Sequence, residues 1–252
     1  MMTADNQGTR IDARGLRYRE LNARLREAVL NGTHKIELHS VYGQRYIGTN
    51  LYKPIEVEIF GTPGNDLGAF MDGPRIIVHG NAQDGCGNTM NSGEIIVHGH
   101  AGDILGLSAR GGKIFVRDDV GYRAGIHMKE YKDQNPVVVI GGTAQDFLGE
   151  YMAGGILILL GLNLGEGECH KAKFIGTGMH GGVIYIRGNV EEYQLGKEVG
   201  TTPLEEKDYQ LLQQFAGEFA VHFGYEAKEI LKYKFIKLFP RWLRPYGRLY
   251  AY

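Results

Sequence analysis

Cysteine is nearly absent from this chain. The two present, Cys86 and Cys169, lie far apart and neither belongs to a CxxC pair. That excludes a disulfide framework, zinc-finger spacing and an all-cysteine iron–sulfur site held within the chain, and it points to a reducing, cytoplasmic compartment. Long apolar runs are missing too. The longest, GGILILLGL, falls well short of the ~20 residues that span a bilayer, and MMTADNQGTRID lacks the apolar centre of a secretory signal peptide. No membrane association is expected. Charge of one sign is absent: 28 Lys and Arg against 29 Asp and Glu leave a net charge of −1, so no global field draws the chain to nucleic acid. No GxxxxGK[ST] loop occurs.

Glycine is the residue in excess: 38 in 252 residues, against a usual share of roughly 7%. The glycines recur at a period of 19, as Gly61, Gly80, Gly99 and as Gly68, Gly87, Gly106, Gly125. Short apolar strands repeat with them: VEIFG at 57–61, IIVHG at 76–80, IIVHG at 95–99 and IFVRD at 114–118. After the insertion KEYKDQNP come VVVIG at 137–141, LILLG at 157–161 and IYIRG at 184–188, the last delayed by LNLGEGECHKAKF. A fixed period near 20 means a solenoid, and β-branched strands with glycine in every copy disfavour a helical repeat. Nineteen is not a multiple of six, which sets aside a hexapeptide-repeat acyltransferase.

Successive side chains in a strand alternate faces. The first and third strand columns are aliphatic throughout: Val57/Ile59, Ile76/Val78, Ile95/Val97, Ile114/Val116, Val137/Val139, Leu157/Leu159 and Ile184/Ile186. These columns are predicted to fill the interior, with corner glycines permitting tight turns. The expectation is an all-β solenoid, a right-handed single-stranded parallel β-helix of about seven coils over residues 36–190. An N-terminal helical cap (1–35) and a C-terminal helical extension (191–252) would flank it. In the first, Leu16, Leu21, Leu25 and Val29 share a face, with Asp12 as N-cap and Asn31-Gly32 as stop. In the second, Thr202-Pro203-Leu204-Glu205 reads as a capping box opening a helix whose apolar face is Leu204, Leu211, Leu212, Phe215 and Phe219, ended by Gly224. A further helix is predicted to about Phe239. Six basic side chains between Lys232 and Arg248 suggest a local contact surface or a solvated positive face.

The second strand column points outward yet is apolar in six of seven copies: Glu58, Ile77, Ile96, Phe115, Val138, Ile158 and Tyr185. Such a stripe is rarely left wet, so the C-terminal segment, a second copy or another protein of an assembly should cover it. The column after it, Phe60, His79, His98, Arg117, Ile140, Leu160 and Arg187, reads as a rim, with His79 and His98 stacked one coil apart.

Candidate chemistry is sparse. GTGMHGG (176–182) holds G-x-G-x-x-G at Gly176, Gly178 and Gly181, with Glu191 and Glu192 downstream. A dinucleotide site needs a helix after the third glycine, and here GVIYIRG follows at once, so corner glycines are expected. His79, His98 and His100 imply no third metal ligand. Cys86 sits in a corner with no assured base, and Cys169-His170 lies in the long insertion. No catalytic, cofactor or metal site is assigned.

GEYMAGGILILLG (149–161) followed by GTGMHGGVIYIRG (176–188) resembles the C-terminal GXGXG domain of the glutamate synthase large subunit. Glu150, Tyr151, Met152, Gly154 and Gly155 match the family's E-Y-M-T-G-G strand, with Ala153 for threonine. Gly178, Met179, Gly181 and Gly182 match its second strand, with His180 for Ser or Thr. YGQRYIG (42–48) and GGKIFVRDDVGYRAGIHMKEY resemble stand-alone archaeal-type members, and one of the subunits of formylmethanofuran dehydrogenase shares the repeat. The likeness covers roughly residues 10–190. It implies a non-catalytic subunit beside an amidotransferase, whose N-terminal cysteine nucleophile MMTADN lacks, and a synthase subunit with FMN and an iron–sulfur cluster. It implies glutamate biosynthesis and nitrogen metabolism, with Tyr151, Met152, Gly154, Gly155, Gly178, Met179, His180, Gly181 and Gly182 joining the stripe as interface. Two alternatives remain: the β-helix subunit of a formylmethanofuran dehydrogenase or another redox complex, and an independent β-helix, either a homo-oligomeric scaffold or an enzyme with a surface site.

Overall fold

A computed structural model describes residues 8–165 and 167–242. Its strands form one eleven-stranded sheet running β1-β2-β3-β4-β5-β6-β7-β8-β9-β11-β10. The repeat strands are β3 (Glu56–Thr62), β4 (Asp72–Val78), β5 (Ser92–Val97), β6 (Lys113–Val116), β7 (Val137–Ile140), β8 (Ala153–Leu159) and β9 (Gly181–Arg187). Each pairs in parallel with the next. These seven strands are the seven expected copies, and they enclose about six turns of solenoid.

The interior is built of ladders. Ile76, Ile95 and Ile114 stack above one another, as do Val78, Val97 and Val116. Two more columns close the cross-section, Leu67, Cys86, Leu105, Ala124, Leu148, Ile175 and Met71, Met90, Ala109, Met128, Met152, Met179, all in the same buried cluster. Every such side chain loses its water on both sides at once, which is how 19-residue coils too thin to fold singly stabilise each other.

One strand sits a residue away from the register read from the sequence. β6 pairs with β7 as Ile114↔Val138, Phe115↔Val139 and Val116↔Ile140. Val138 and Ile140 therefore enter the interior, and Val137 and Val139 face out. Val138 is thus a core residue and not an interface residue. All four residues of β7 are buried. With no polar residue to mark a wet face, alternation carried no information there.

Both flanks contain more strand than expected. β1 (Thr9–Asp12) pairs in parallel with β2 (Lys35–Tyr42), so Asp12 ends a strand and does not cap a helix. Helix α1 (Tyr18–Leu30) follows, and its Leu21, Leu25 and Val29 close the N-terminal end of the core. At the other end β10 (Val199–Thr202) leads into α2 (Glu206–Phe223), which is capped by a box between Glu205 and Asp208 and stopped by left-handed Gly224. The expected second helix shrinks to α3 (Ala227–Leu231), and Phe235–Pro240 forms β11. β11 lies antiparallel between β9 and β10. Its Leu238 joins the interior while Phe235 turns out, an alternation of period two that wins because β9 would otherwise be left as a bare edge.

The corners explain the glycines. Gly87 has φ +71, and its N–H donates back to the carbonyl of Leu67 in the preceding coil. A Cβ on it would overlap Cδ1 of Ile114 in the following coil. Gly87→Ala should therefore cost roughly 1–2 kcal/mol for the left-handed backbone and a further ~1–3 kcal/mol for overpacking, read as a lower urea midpoint with unchanged slope.

Candidate interaction surface

The outward stripe is covered by the chain itself. Ile96, Phe115, Val139, Ile158 and Tyr185 form a second buried cluster with Leu212, Phe215, Ala216, Phe219 and Ala220 of α2, Ile230 of α3 and Phe235 of β11. Phe115, Ile158 and Tyr185 are no more than 1% exposed, and only Ile77, at the rim, is partly open. Polar ties hold the helix down. Lys113 Nζ donates to both carboxylate oxygens of Glu218 (2.8 and 2.6 Å). Tyr185 donates its hydroxyl to Asp208 Oδ1 (2.6 Å), and Lys237 Nζ donates to Asp208 Oδ2 (2.8 Å). Ile96, Phe115, Ile158 and Tyr185 are therefore not available to a partner.

The motif residues separate in the same way. Met152 and Met179 are interior, and Gly154 and Gly155 are buried. Gly176 has φ +69, and a Cβ there would run into Val199 of the next coil; β9 begins at Gly181. These are corner glycines with no helix behind them, as expected. Gly178, His180, Gly181 and Gly182 are half-buried, and a Cβ on Gly178 would overlap the ring of Tyr151.

What stays open is a pair of corner columns that sequence periodicity did not single out. Arg123, Phe147 and Phe174 sit at one corner of successive coils, His127, Tyr151 and Gly178 at the next, all with positive φ. The left-handed backbone swings each N–H along the solenoid axis: Phe147 donates to Lys173, His127 to Glu150 and Tyr151 to Thr177, each in the following coil. That geometry is costly for a residue with a Cβ. Stacking offsets part of the cost. Phe147 and Phe174 stack at 4.9 Å, His127 and Tyr151 at 5.4 Å, and the Arg123 guanidinium lies 4.9 Å over Phe147 while its Nε donates to Glu150 (2.9 Å). Tyr151 and Phe174 remain 47% and 48% exposed. The result is a rigid, aromatic, partly charged edge along three coils.

The residues with chemical potential are employed otherwise. Cys86 is interior, and burial pushes its thiol up to about 12, so it stays protonated at neutral pH. His79 and His98 do stack one coil apart (5.5 Å), within a row His39, Phe60, His79, His98 that ends against Phe223. His100 lies 3.9 Å from both Asp118 and Asp119. His170 is buried beside the carbonyl of Arg187 (2.9 Å), and burial holds its imidazole below the usual histidine range. Cys169 is half-buried. Among the described residues, no three His, Cys, Asp or Glu side chains converge on a metal-sized space, and no helix is long and apolar enough to cross a membrane.

Comparison with known proteins agrees with this architecture. The model of the GXGXG motif family matches residues 24–244. The chain belongs to the GXGXG family. It is 52% identical over 249 residues to an uncharacterized protein, MJ1350, of Methanocaldococcus jannaschii, covering 96% of this chain and 95% of that protein. Among solved structures it is similar to a chain of the formyltransferase/hydrolase complex (FhcABCD) from Methylorubrum extorquens, determined with methylofuran. The TM-score is 0.58 over 90% of this chain and 89% of that one. At 16% identity this second likeness is one of fold. GXGXG membership places the corner glycines, the buried methionines and the aromatic edge on a scaffold that a family shares.

Proposed function

We propose that this GXGXG protein is a non-catalytic β-helix subunit of a glutamate synthase-like complex, working beside an amidotransferase and a synthase subunit that holds FMN and iron–sulfur. The observation that carries the reading is the division of labour at the motif. Its glycines and methionines build the core and corner, Cys86 is locked inside, and the exposed product of that construction is the stacked edge of Phe174, Tyr151 and His127. Exposed aromatics held rigid by neighbouring coils lose little entropy on docking, which suits an assembly surface. The E-Y-M and G-M-x-G-G motifs support glutamate synthase as the complex. A second reading, the β-helix subunit of a formylmethanofuran dehydrogenase or another redox complex, is supported by the fold likeness to a chain of the formyltransferase/hydrolase assembly.

The test is tagged purification from the native host. Stoichiometric amidotransferase and flavoprotein support the first reading; a molybdenum or tungsten protein supports the second; the chain alone overturns both. Tyr151→Asn with Phe174→Asn removes the aromatic edge while keeping a residue type that tolerates left-handed φ. It should abolish copurification and leave the circular dichroism unchanged.

A further inference from the structure

The two ends of the solenoid are finished differently. The N-terminal end is sealed by α1. At the C-terminal end, α2 leaves to lie on the outer sheet face, and a groove of about 1190 Å³ opens beside the last strands. Val199 and Leu195, of the interior cluster, and Leu204, Leu212 and Leu231, of the outer cluster, line it. Its cationic lining residues are Lys234 and Arg241, both exposed, and Lys232, whose ammonium is paired with Glu229; its acidic lining residue is Glu192.

Among the described residues, the hydrogen-bonding ladder has a gap beside this groove at Phe235. β11 pairs with β9 through Phe235–Leu238 but with β10 only through Lys237–Pro240, because the chain turns away at Pro203. The direction of each peptide group follows from two bonds: Gly188 N–H donates to the carbonyl of Lys234, and Arg241 N–H donates to that of Glu198. Antiparallel ladders alternate. Lys234 and Ile236 therefore face β9, and the N–H and C=O of Phe235 face the side β10 has vacated. Phe235 lines the groove. Thr201 also lines the groove, but its peptide groups turn to the opposite, outer side of β10, away from β11.

We infer that this groove docks an extended, carboxylate-bearing segment of a partner protein, which adds a strand beside Phe235 with its acidic side chains against Lys232, Lys234 and Arg241. Main-chain bonds and apolar pockets on alternate residues are the ordinary means of strand addition, and the basic rim selects the charge. The inference rests on the subunit reading for its biological sense but on the ladder and the charge for its chemistry.

The probe is a fluorescein-labelled peptide, Glu-Val-Glu-Val-Glu-Val, blocked at both ends, titrated with the full chain by anisotropy. The expected result is saturable binding about tenfold or more tighter than that of the Lys-Val counterpart, ~1.4 kcal/mol or more. Lys232→Glu, Lys234→Glu and Arg241→Glu together should reverse the preference without moving the urea midpoint. N-methylated valines should weaken binding by a similar factor. Absent or non-saturable binding overturns the inference, as does equal affinity in the triple variant or for the N-methylated peptide. Binding only after removal of residues 243–252 assigns the groove to the chain's own tail, and conversion of a dimer to monomer by the triple variant assigns it to a second copy; either overturns it. Failed copurification with intact peptide binding would count against the subunit reading alone.

Discussion

Val97→Asp should yield no soluble, cooperatively folded protein. Val97 is fully buried, paired with Val78 on one side and Val116 on the other within the same interior column. A carboxylate placed there finds no hydrogen-bond donor among aliphatic neighbours, and an uncompensated buried polar or ionised group costs several kcal/mol. The total stability of a domain is only about 5–15 kcal/mol. In a solenoid the damage is not local, since both adjoining coils lose their stacking partner. Soluble yield and the sharpness of thermal unfolding measure it. Recovery of a protein that melts like the wild type would show that Val97 does not point inward.

Asp208→Ala should be the most damaging change outside the solenoid interior. Asp208 is 1% exposed and accepts hydrogen bonds from Tyr185, Lys237 and the Glu205 backbone N–H. Removing it leaves the Lys237 ammonium, 12% exposed at its side chain, without its anion, and breaking one half of a buried ion pair costs about 3–5 kcal/mol. It also removes one of the two bonds of the box that caps α2 and strands the Tyr185 hydroxyl. The expected outcome is a lower urea midpoint with helix α2 undocked, seen as increased binding of a hydrophobic dye while the β-sheet signal persists. Soluble, dye-silent protein with an unchanged midpoint would remove the network from the account of how α2 is held.

The same carboxylate predicts an acid limit. Burial opposes ionisation of Asp208, but the hydrogen bonds from Glu205, Lys237 and Tyr185 outweigh it and hold its pKa below the ordinary 3.8. A folded-state pKa below the unfolded one gives stability that is complete above the unfolded value and is lost as pH falls through the folded one. Stability should therefore fall below about pH 4, and Asp208→Asn should flatten that part of the profile.

Residues spaced by a regular period were legible in the sequence wherever one face of a strand was polar. The 19-residue spacing located β3 to β6, assigned Ile76, Ile95 and Ile114 to the interior, and placed His79 over His98, because stacking translates a sequence period directly into a spatial ladder. The reading of Gly176 as a corner residue followed from the strand that comes so soon after it. At β7 the same logic lost its footing, since Val137, Val138, Val139 and Ile140 are apolar alike and both faces are buried.

Composition and period by themselves determined the solenoid, the core columns, the apolar stripe and the absence of any helix behind GTGMHGG. Each depends on neighbours one coil away, and a fixed period supplies those neighbours. Only the tertiary structure decided what covers the stripe, because α2 reaches it from residues whose apolar face would suit many surfaces. Only the tertiary structure made a strand of Phe235–Pro240, where the open edge of β9 overrode a weak helical pattern. The motif marked Tyr151 as a corner residue in advance, but not its left-handed backbone, its stack with His127, or the Phe147–Phe174 pair. Phe147, Tyr151 and Phe174 are poor residues for positive φ; Phe147 and Tyr151 are held there by the hydrogen bond each donates into the next coil, and Phe174 stacks on Phe147.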